Sequence, residues 1–249
     1  MIDLHTHVLP GVDDGPATIS ESLEILADSV ESGVRAVAAT PHVRDDYPTT
    51  AAVMERLVAA LRVEAKAKGI ALDILTGGEI ALDRLAVTPK AELRRFGLGG
   101  NSRYLLIEFP YYGWPPNLAE QLAGLRSAGF RAVLAHPERN AEVQAGPGRL
   151  EPLVDSGALV QLTSASLSGN LGRQCQTAAL RLLELGLVHM VASDVHVRGG
   201  RAGLAAVAEE ISHEPLARWL TADVPHAIVS NDAVPVRPPN PPRRLWRKR

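Results

Sequence analysis

The chain has 249 residues, of which 46% are hydrophobic and 22% charged, and its formal net charge is −2. These proportions are ordinary for a globular protein and exclude a mostly disordered chain, which would be poorer in apolar residues. The length favours one large barrel or two small domains, and an aromatic content of 4% disfavours a nucleic-acid surface built on base stacking.

Seven short apolar runs rich in β-branched residues alternate with longer helical patterns. The runs cover residues 1–4, 36–39, 72–75, 104–107, 132–135, 159–162 and 188–192, and the clearest helical patterns cover 19–33, 50–67, 117–128 and 171–185. A strand that recurs about every 27–36 residues, with a helix in most gaps, is typical of parallel βα units. We expect an α/β fold, a seven-stranded TIM-like (β/α) barrel. An open doubly wound sheet is the alternative, weakened because no glycine-rich phosphate fingerprint follows the first strand.

The end of the chain differs in composition from the rest. Residues 235–249 are rich in proline and carry six basic residues and no acidic one, which leaves 20 basic and 28 acidic residues in the body. We expect one domain over residues 1–234 and an extended tail over 235–249. The acidic body is a poor partner for nucleic acid, whereas the basic tail can touch an anionic membrane surface.

The cysteine content and the first residues bear on location. Cys175 has no partner for an internal disulfide, which favours a reducing, cytoplasmic location. The chain begins without a signal-peptide pattern, and no run reaches the roughly 18 apolar residues of a membrane span. We therefore expect a cytoplasmic protein that does not span a membrane.

Histidines and acids follow six of the seven predicted strands. They are His5, His7, His42, Glu79, Glu108, His136, Asp194 and His196. Each alone can close a turn or cap a helix, but in a βα barrel all strand ends meet on the face that carries active sites. Converging acids and imidazoles there need cations between them, so the set predicts a metal centre. Asp13-Asp14-Gly15 is either a turn with a helix cap or the source of one more acid.

The motifs around these residues resemble a known family. The motifs H-x-H, PGVDDGP, ATPH, GGEI, LIEFP, AHPER and SDVH, in this order over residues 1–201, are similar to those of the PHP (polymerase and histidinol phosphatase) superfamily. Within it they resemble the bacterial protein-tyrosine phosphatases that act with capsule and exopolysaccharide kinases. The resemblance implies a distorted, seven-stranded βα barrel, in agreement with the seven apolar runs.

The resemblance also implies how the side chains divide among three metal ions. The first ion would bind His5, His7, Glu79 and Asp194; the second Glu79, Glu108 and His136; and the third Asp14, His42 and His196. Arg139 and Arg201 stand where the family has phosphate-binding arginines, with Arg198 as a rival to Arg201.

The charge of this set suits a phosphate ester. Three divalent cations and four carboxylates leave the cluster near +2, which a phosphomonoester dianion would neutralise. Nitrogen and oxygen donors without thiolate suit Mn²⁺, Fe²⁺ or Zn²⁺ better than Ca²⁺, and we take Mn²⁺ as the first expectation. Cys175 lacks a Cys-x₅-Arg loop, which disfavours a cysteine phosphatase.

We therefore expect a metal-dependent phosphatase that acts on phosphotyrosine in proteins by attack of a metal-activated hydroxide on phosphorus. The resemblance implies an autophosphorylating bacterial tyrosine kinase as its partner. The alternatives are a small-molecule phosphatase, for histidinol phosphate or a nucleotide, and a catalytically silent metal-binding regulator. Tyr111, Tyr112 and Trp114 either wall a pocket for an aromatic phosphoester or cover the barrel rim, and we favour the rim.

Overall fold

The computed structural model describes residues 1–199 and 203–240. Within these residues the strands are β1 (Ile2–Thr6), β2 (Ala36–Ala39), β3 (His42–Val43), β4 (Asp73–Thr76), β5 (Glu79–Ala81), β6 (Tyr104–Glu108), β7 (Arg131–Ala135), β8 (Leu159–Thr163) and β9 (Met190–Ala192). Neighbouring strands in both sheets are paired in parallel. The expected α/β class, with parallel strands near all seven apolar runs, is confirmed.

Two of the predicted strands are each followed, after a short break, by a second strand that was not predicted. The order is β1-β2-β4 in one sheet and β3-β5-β6-β7-β8-β9 in the other, so β3 resumes where β2 stops and β5 resumes where β4 stops. Pro41 lies in the first break and lacks the N–H group that a strand pair needs, and two glycines, Gly77 and Gly78, form the second. The resumed strands pair so that His42 lies opposite Glu79.

The first and last strands lie side by side. The backbone N–H of Asp194 donates to the carbonyl of His5, and the N–H of His7 donates to the carbonyl of Val195, both at 2.9 Å. The residues that follow β9 therefore run along the end of β1. This contact brings the two ends of the strand series to the same rim.

Helices connect the strands. They are α1 (Ile19–Glu31), α2 (Ala51–Ala67), α3 (Arg84–Val87), α4 (Lys90–Arg95), α5 (Leu118–Ser127), α6 (Ala141–Ala145), α7 (Glu151–Asp155), α8 (Ser164–Leu167), α9 (Arg173–Glu184), α10 (Ala205–Ile211), α11 (Glu214–Arg218) and α12 (Val224–Ser230). Helix α1 shows why they form: Thr18 and Glu21 make a capping box, and Leu23, Ile25 and Leu26 are buried on its inner side. In the part of the chain that the structure describes, no helix is both long and apolar enough to cross a membrane.

The core lies on the strands. Leu105, Leu106, Val133, Leu134 and Val160 are all completely buried. Near-continuous apolar strands are typical of parallel sheets whose two faces are both covered. The rigid strands hold the polar residues at their ends in fixed positions.

The start of the predicted tail contacts the body. The indole N–H of Trp219 donates to the carbonyl of Pro235 at 3.0 Å, and the Asn240 amide donates to the carbonyl of Glu184 at 2.8 Å. Residues 235–240 thus lie against the end of α9. Five of the six basic residues of the tail, Arg243, Arg244, Arg247, Lys248 and Arg249, fall outside the described residues. The domain boundary at residue 234 stays a prediction.

Candidate metal centre

Nine side chains meet at the rim where the strands end. They come from β1 and the loop after it (His5, His7, Asp14), from β3 and β5 (His42, Glu79), from the end of β6 (Glu108), and from the residues that follow β7 and β9 (His136, Asp194, His196). Among the described residues, their donor atoms form groups whose members lie within 4.8 Å of one another. The structure thus brings together all nine residues that the sequence singled out.

His5 and His7 each lie close to Glu79 and to Asp194. Nε2 of His5 lies 3.2 Å from Nε2 of His7, and 3.4 Å from both Oε2 of Glu79 and Oδ1 of Asp194. Nε2 of His7 lies 3.4 Å and 3.5 Å from the same two oxygens. Ligands bound to one cation at about 2.1 Å are separated by roughly 3.0–3.5 Å. His5, His7 and Asp194 therefore form one group with the spacing of ligands around a single ion, whereas no single group among the described residues contains both Glu79 and Asp194.

Glu79 connects this group to its neighbours. Its Oε1 lies 2.8 Å from Nε2 of His136, and its Oε2 lies 2.9 Å from Nδ1 of His42. Glu108 is grouped with His42 and Glu79, whereas His136 is grouped with His5 and Glu79. The resemblance puts Glu108 and His136 on one ion, but no single group among the described residues contains both. Oε1 of Glu108 instead accepts a hydrogen bond from Arg44 at 3.0 Å.

The last group lies at the outer edge. Oδ1 of Asp14 is 3.2 Å from Nε2 of His196 and 3.5 Å from Nε2 of His42. His7 joins this group as well, and its ring is stacked on that of His196 with centroids 3.9 Å apart. Asp14 is thus the acid of the Asp-Asp-Gly turn that faces the cluster, and its side chain is half exposed.

The cluster contains buried polar atoms that have no hydrogen-bond partner. In the described part of the chain, Nδ1 of His42, Oε2 of Glu79 and Nδ1 of His136 are buried without a hydrogen-bond partner. Although the first two atoms are 2.9 Å apart, their alignment is not that of a hydrogen bond. A buried polar atom left in this way costs about 1–3 kcal/mol. A divalent cation would satisfy such atoms, and the mixed nitrogen and oxygen donors fit one.

Two further buried residues orient the imidazoles. Oδ2 of Asp13 lies 2.8 Å from Nδ1 of His7 and accepts the backbone N–H of His42 at 3.1 Å. Oε1 of Gln161 lies 3.0 Å from Nδ1 of His5. An acceptor at Nδ1 places the proton there and leaves Nε2 free to bind a metal. The sequence left open whether Asp13 or Asp14 would face the cluster, and it indicated no role for Gln161.

Without a cation, protons balance the buried charges. Burial alone would lower the pKa of His5, but the Glu79 and Asp194 carboxylates outweigh it and raise that pKa to about 9. Burial likewise opposes the shift at His7, whose pKa is raised well above its usual value by Asp13 and Glu79. The surrounding histidines hold the pKa of Glu79 well below its ordinary value in spite of burial. A cation entering the cluster must displace these protons.

The backbone is unusual at two of the nine positions. His136 and Asp194 have positive φ angles of 35° and 54°. A residue other than glycine rarely adopts this left-handed region, and the cost is on the order of 1–3 kcal/mol. At both positions the chain turns sharply at the end of a strand, which points these side chains into the cluster.

A cavity of about 380 Å³ opens onto the cluster, lined also by Arg44, Tyr111 and Arg139. Nη1 of Arg139 donates to Oδ2 of Asp194 at 3.0 Å, so Arg139 contacts the outer oxygen of a candidate ligand. Arg44, in the 43–49 loop, is a second cation on this cavity that sequence reasoning did not single out. The cavity thus has a centre suited to cations and guanidinium groups at its edge, which is an arrangement that binds anions.

The second predicted arginine was Arg201, which lies outside the described residues. Its rival, Arg198, forms ion pairs with Glu24 and Asp28 at 3.4 Å and 3.5 Å. Arg198 is not among the residues that line the cavity.

The aromatic residues after β6 divide between two positions. Tyr112 is 85% exposed, and Trp114 packs edge-on against Phe109 with centroids 5.8 Å apart, as expected of residues that cover a rim. Tyr111 lines the cavity, so the rim interpretation is wrong for this residue. Its ring contacts both Arg139 and His136, and sequence spacing cannot reveal these contacts.

Cys175 and His189 are not members of the cluster. The thiol of Cys175 is near the Gln144 amide at 3.3 Å, and burial raises its pKa, which does not favour a nucleophilic thiolate. Nδ1 of His189 accepts the backbone N–H of Val160 at 3.2 Å, and burial lowers the pKa of this histidine to about 4. The contacts of both residues therefore favour a structural role.

Comparison with known proteins agrees with this geometry. Residues 1–217 match the family model described as capsular polysaccharide synthesis, CpsB/CapC. The chain belongs to the CpsB/CapC family. The tyrosine-protein phosphatase YwqE of Bacillus subtilis is 38% identical over 198 residues, which cover 79% of this chain and 77% of that protein. The tyrosine-protein phosphatase CpsB of Streptococcus pneumoniae is 34% identical over 207 residues, which cover 79% and 83%.

A solved structure of this family has the same fold. It comes from crystal structures of YwqE from Bacillus subtilis and CpsB from Streptococcus pneumoniae, described as metal-dependent tyrosine phosphatases. It matches with a TM-score of 0.84 and 32% identity, and the alignment covers 97% of this chain and 99% of that one. The CpsB/CapC membership thus extends to nearly the whole fold. The predicted resemblance to the capsule-associated branch of the PHP superfamily is confirmed.

Proposed function

We propose that the protein is a metal-dependent protein-tyrosine phosphatase that hydrolyses phosphotyrosine in proteins. The observation that carries the proposal is the convergence of nine ligand-type side chains at one rim, six of which line a cavity that Arg139 borders. The relatives of known name are tyrosine-protein phosphatases, and family membership supports the same reaction for this chain.

We further propose that the cluster holds three divalent ions, Mn²⁺ first and Fe²⁺ or Zn²⁺ as alternatives. Each would be held by ligands from the groups described above, with Glu79 shared between ions. When bound, such ions lower the pKa of a bound water towards about 7 and neutralise charge on phosphoryl oxygens. The chain itself supplies donors of nitrogen and oxygen type, which all three metals accept.

The chain's own residues would bind and orient the ester. Arg139 presents a planar guanidinium that can hold two phosphoryl oxygens, and Arg201 is proposed to assist it. Asp194 links the two tasks, because one of its oxygens faces His5 and the other accepts from Arg139. A tyrosyl group with a pKa near 10 leaves more readily than an alkoxide, so we assign no general acid.

The physiological setting is part of the proposal. The family is described by capsular polysaccharide synthesis, which supports an autophosphorylating bacterial tyrosine kinase as the substrate protein. We propose a cytoplasmic location, in keeping with the single cysteine. The basic end of the tail, 241–249, would contribute at most a contact with an anionic membrane surface.

The test compares hydrolysis of a phosphotyrosyl peptide with that of histidinol phosphate by Mn²⁺-loaded protein. We expect faster turnover of the peptide, loss of turnover in Glu79→Ala, and reduced turnover with unchanged metal content in Arg139→Ala. Arg198→Ala is the matched control, because Arg198 pairs with Glu24 outside the cavity. Faster turnover of histidinol phosphate would favour a small-molecule phosphatase, and no turnover of either ester would indicate a silent regulator. Full activity of Glu79→Ala would refute the proposed cluster.

A further inference from the structure

The walls of the cavity differ in character from its floor. The floor consists of candidate metal ligands, including Glu79, His136 and Asp194. The apolar part of the lining comes from Tyr111, in the loop after β6, and from Val195 and Val197, in the segment after β9. We propose that these three side chains hold the aromatic ring of an aryl phosphate and thereby select it over alkyl phosphates, an inference that rests on the proposed function.

The wall residues expose apolar surface to solvent, and a bound ligand would cover it. Tyr111 is 37% exposed and Val197 is 57% exposed, and both are among the most exposed large apolar side chains of the described residues. Each apolar Å² covered by a bound ring contributes about 25 cal/mol. A phosphate held on the floor by its oxygens would place the attached group between these walls. A phenyl ring would cover them, whereas the single methylene of phosphoserine would leave most of this surface in water.

Tyr111 is held in place before any ligand arrives. Its ring is stacked on the His136 ring with centroids 5.9 Å apart and an interplanar angle of 23°. The guanidinium of Arg139 lies 4.6 Å from the centroid of the Tyr111 ring. An aromatic side chain with both contacts loses little further freedom when a second ring packs against it.

The loop that carries Tyr111 is also anchored. The Asn140 amide donates to the carbonyls of Pro110 and Gly113 at 2.7 Å and 2.9 Å, one on each side of the tyrosine. The carbonyl of Tyr111 itself accepts the backbone N–H of Ala141 at 3.0 Å. These bonds fix the loop against α6, so the position of the wall is part of the fold.

A purely structural role for Tyr111 makes a different prediction. If the ring only held Arg139 in place, its removal would weaken every phosphate or phosphonate ligand equally, because Arg139 contacts the charged group common to all of them. If the ring is a wall for the substrate, its removal weakens aryl ligands much more than alkyl ligands. The ratio of the two affinities therefore separates the two roles.

The experiment measures the dissociation constants of phenylphosphonate and methylphosphonate on Mn²⁺-loaded protein by calorimetry. The two ligands share the charged group and cannot be hydrolysed, so the measurement does not depend on turnover. We expect the unsubstituted protein to bind phenylphosphonate about tenfold more tightly. Tyr111→Ala should bring this ratio close to one, Tyr111→Phe should preserve it, and Val197→Ser should lower it partway.

Tyr112→Ala is the matched control, because Tyr112 is the next residue in the same loop, is 85% exposed and does not line the cavity. It should leave the ratio unchanged. An equal loss of both affinities in Tyr111→Ala, or a ratio near one in the unsubstituted protein, would overturn the aryl wall and leave the proposed phosphatase activity standing. No binding of either phosphonate would contradict the proposed function itself, and the aryl wall with it.

Discussion

Two candidate ligands on one strand end are oriented by different partners. His7 is held at Nδ1 by the carboxylate of Asp13, whereas His5 is held at Nδ1 by the neutral amide of Gln161. Gln161 also accepts the backbone N–H of His136 at 3.3 Å and is completely buried. One amide oxygen therefore sets the direction of His5 and the start of the turn that carries His136.

This arrangement predicts a loss of metal affinity in Gln161→Leu. Leucine has a similar volume but no acceptor, so the proton of His5 is no longer fixed at Nδ1. Loss of such an outer partner typically costs 10–100-fold in metal affinity, and we expect a loss of about this size. Competition with a chelator measures the Mn²⁺ affinity. Thermal unfolding of the metal-free protein shows whether the substitution also changes stability. Gln161→Glu, which keeps an acceptor oxygen, is the control. Unchanged metal affinity in Gln161→Leu would contradict the positioning role.

The protonation of His5 predicts opposite pH trends for stability and metal binding. Its pKa is raised from an ordinary value near 6.5 to about 9 in the folded, metal-free protein. Its contribution to stability is therefore complete below about pH 6.5 and is lost as the pH rises through about 9. Metal binding must release this proton, so metal affinity should rise over the same interval. Mn²⁺ titrations measure the metal affinity over this pH interval, and thermal unfolding of the metal-free protein measures its stability. A metal affinity that stays constant or falls as the pH rises would contradict the protonated state of His5.

The sequence revealed the candidate ligands better than it revealed their partners. A histidine or acid directly after an apolar run, as at His42 or Glu108, can be recognised because a strand end has a known place in a βα fold. Gln161 lies inside β8 and Arg44 lies in a loop, and neither carries a signal of its own. Their roles depend on which strands become neighbours in the sheet. Local patterns in one sequence do not reveal this pairing.

At the scale of elements, the broken strands determine how the cluster is assembled. The breaks after β2 and β4 allow β3 and β5 to join the other sheet, in which His42 lies opposite Glu79. Strand β5 also pairs with β6, so that Ala81 lies opposite Glu108. Gly78, in the break between β4 and β5, has no side chain, so the backbone can pass close to Phe96, which is 1% exposed.

Gly78→Ala should therefore destabilise the protein and displace Glu79, the next residue in the chain. A Cβ atom at Gly78 would lie 2.6 Å from Cδ1 of Phe96, and overpacking of this kind costs about 1–3 kcal/mol. Urea unfolding measures the stability, and Mn²⁺ affinity reports the displacement of Glu79, which should lower it. Gly124→Ala is the control, because nothing lies within 4 Å of its added Cβ in helix α5, and it should stabilise by about 0.5–1 kcal/mol. Equal stability of the two variants would refute the close packing.

The element pattern shows what hydrophobic periodicity can and cannot predict. The run at 36–39 coincides with β2, and the runs at 104–107 and 132–135 each differ from β6 and β7 by one residue. Strand β3, with only His42 and Val43, is too short to have any periodicity, and β5 has three residues. Such strands form because a neighbour supplies their hydrogen bonds, so they follow from the fold and cannot be read from local sequence.

In the molecule as a whole, the fold brings distant parts of the chain together to form the site. The candidate ligands extend from His5 to His196 along the chain, and the first and last of them meet because the segment after β9 bonds to the end of β1. The body is acidic, and the cluster concentrates part of that charge in a buried place. Cations that bind only the folded chain would stabilise it by mass action. Metal binding is thus the property on which the proposed activity, the orienting residues and the pH trends all depend.

Anomalous X-ray scattering from crystals of the protein loaded with Mn²⁺ tests this property most directly. We expect three anomalous peaks at the strand-end rim, with Glu79 beside more than one of them. The peaks should lie among His5, His7, Asp14, His42, Glu79, Glu108, His136, Asp194 and His196. A fully loaded, active protein whose peaks lie elsewhere, with no ion on these nine side chains, would refute the proposed metal centre.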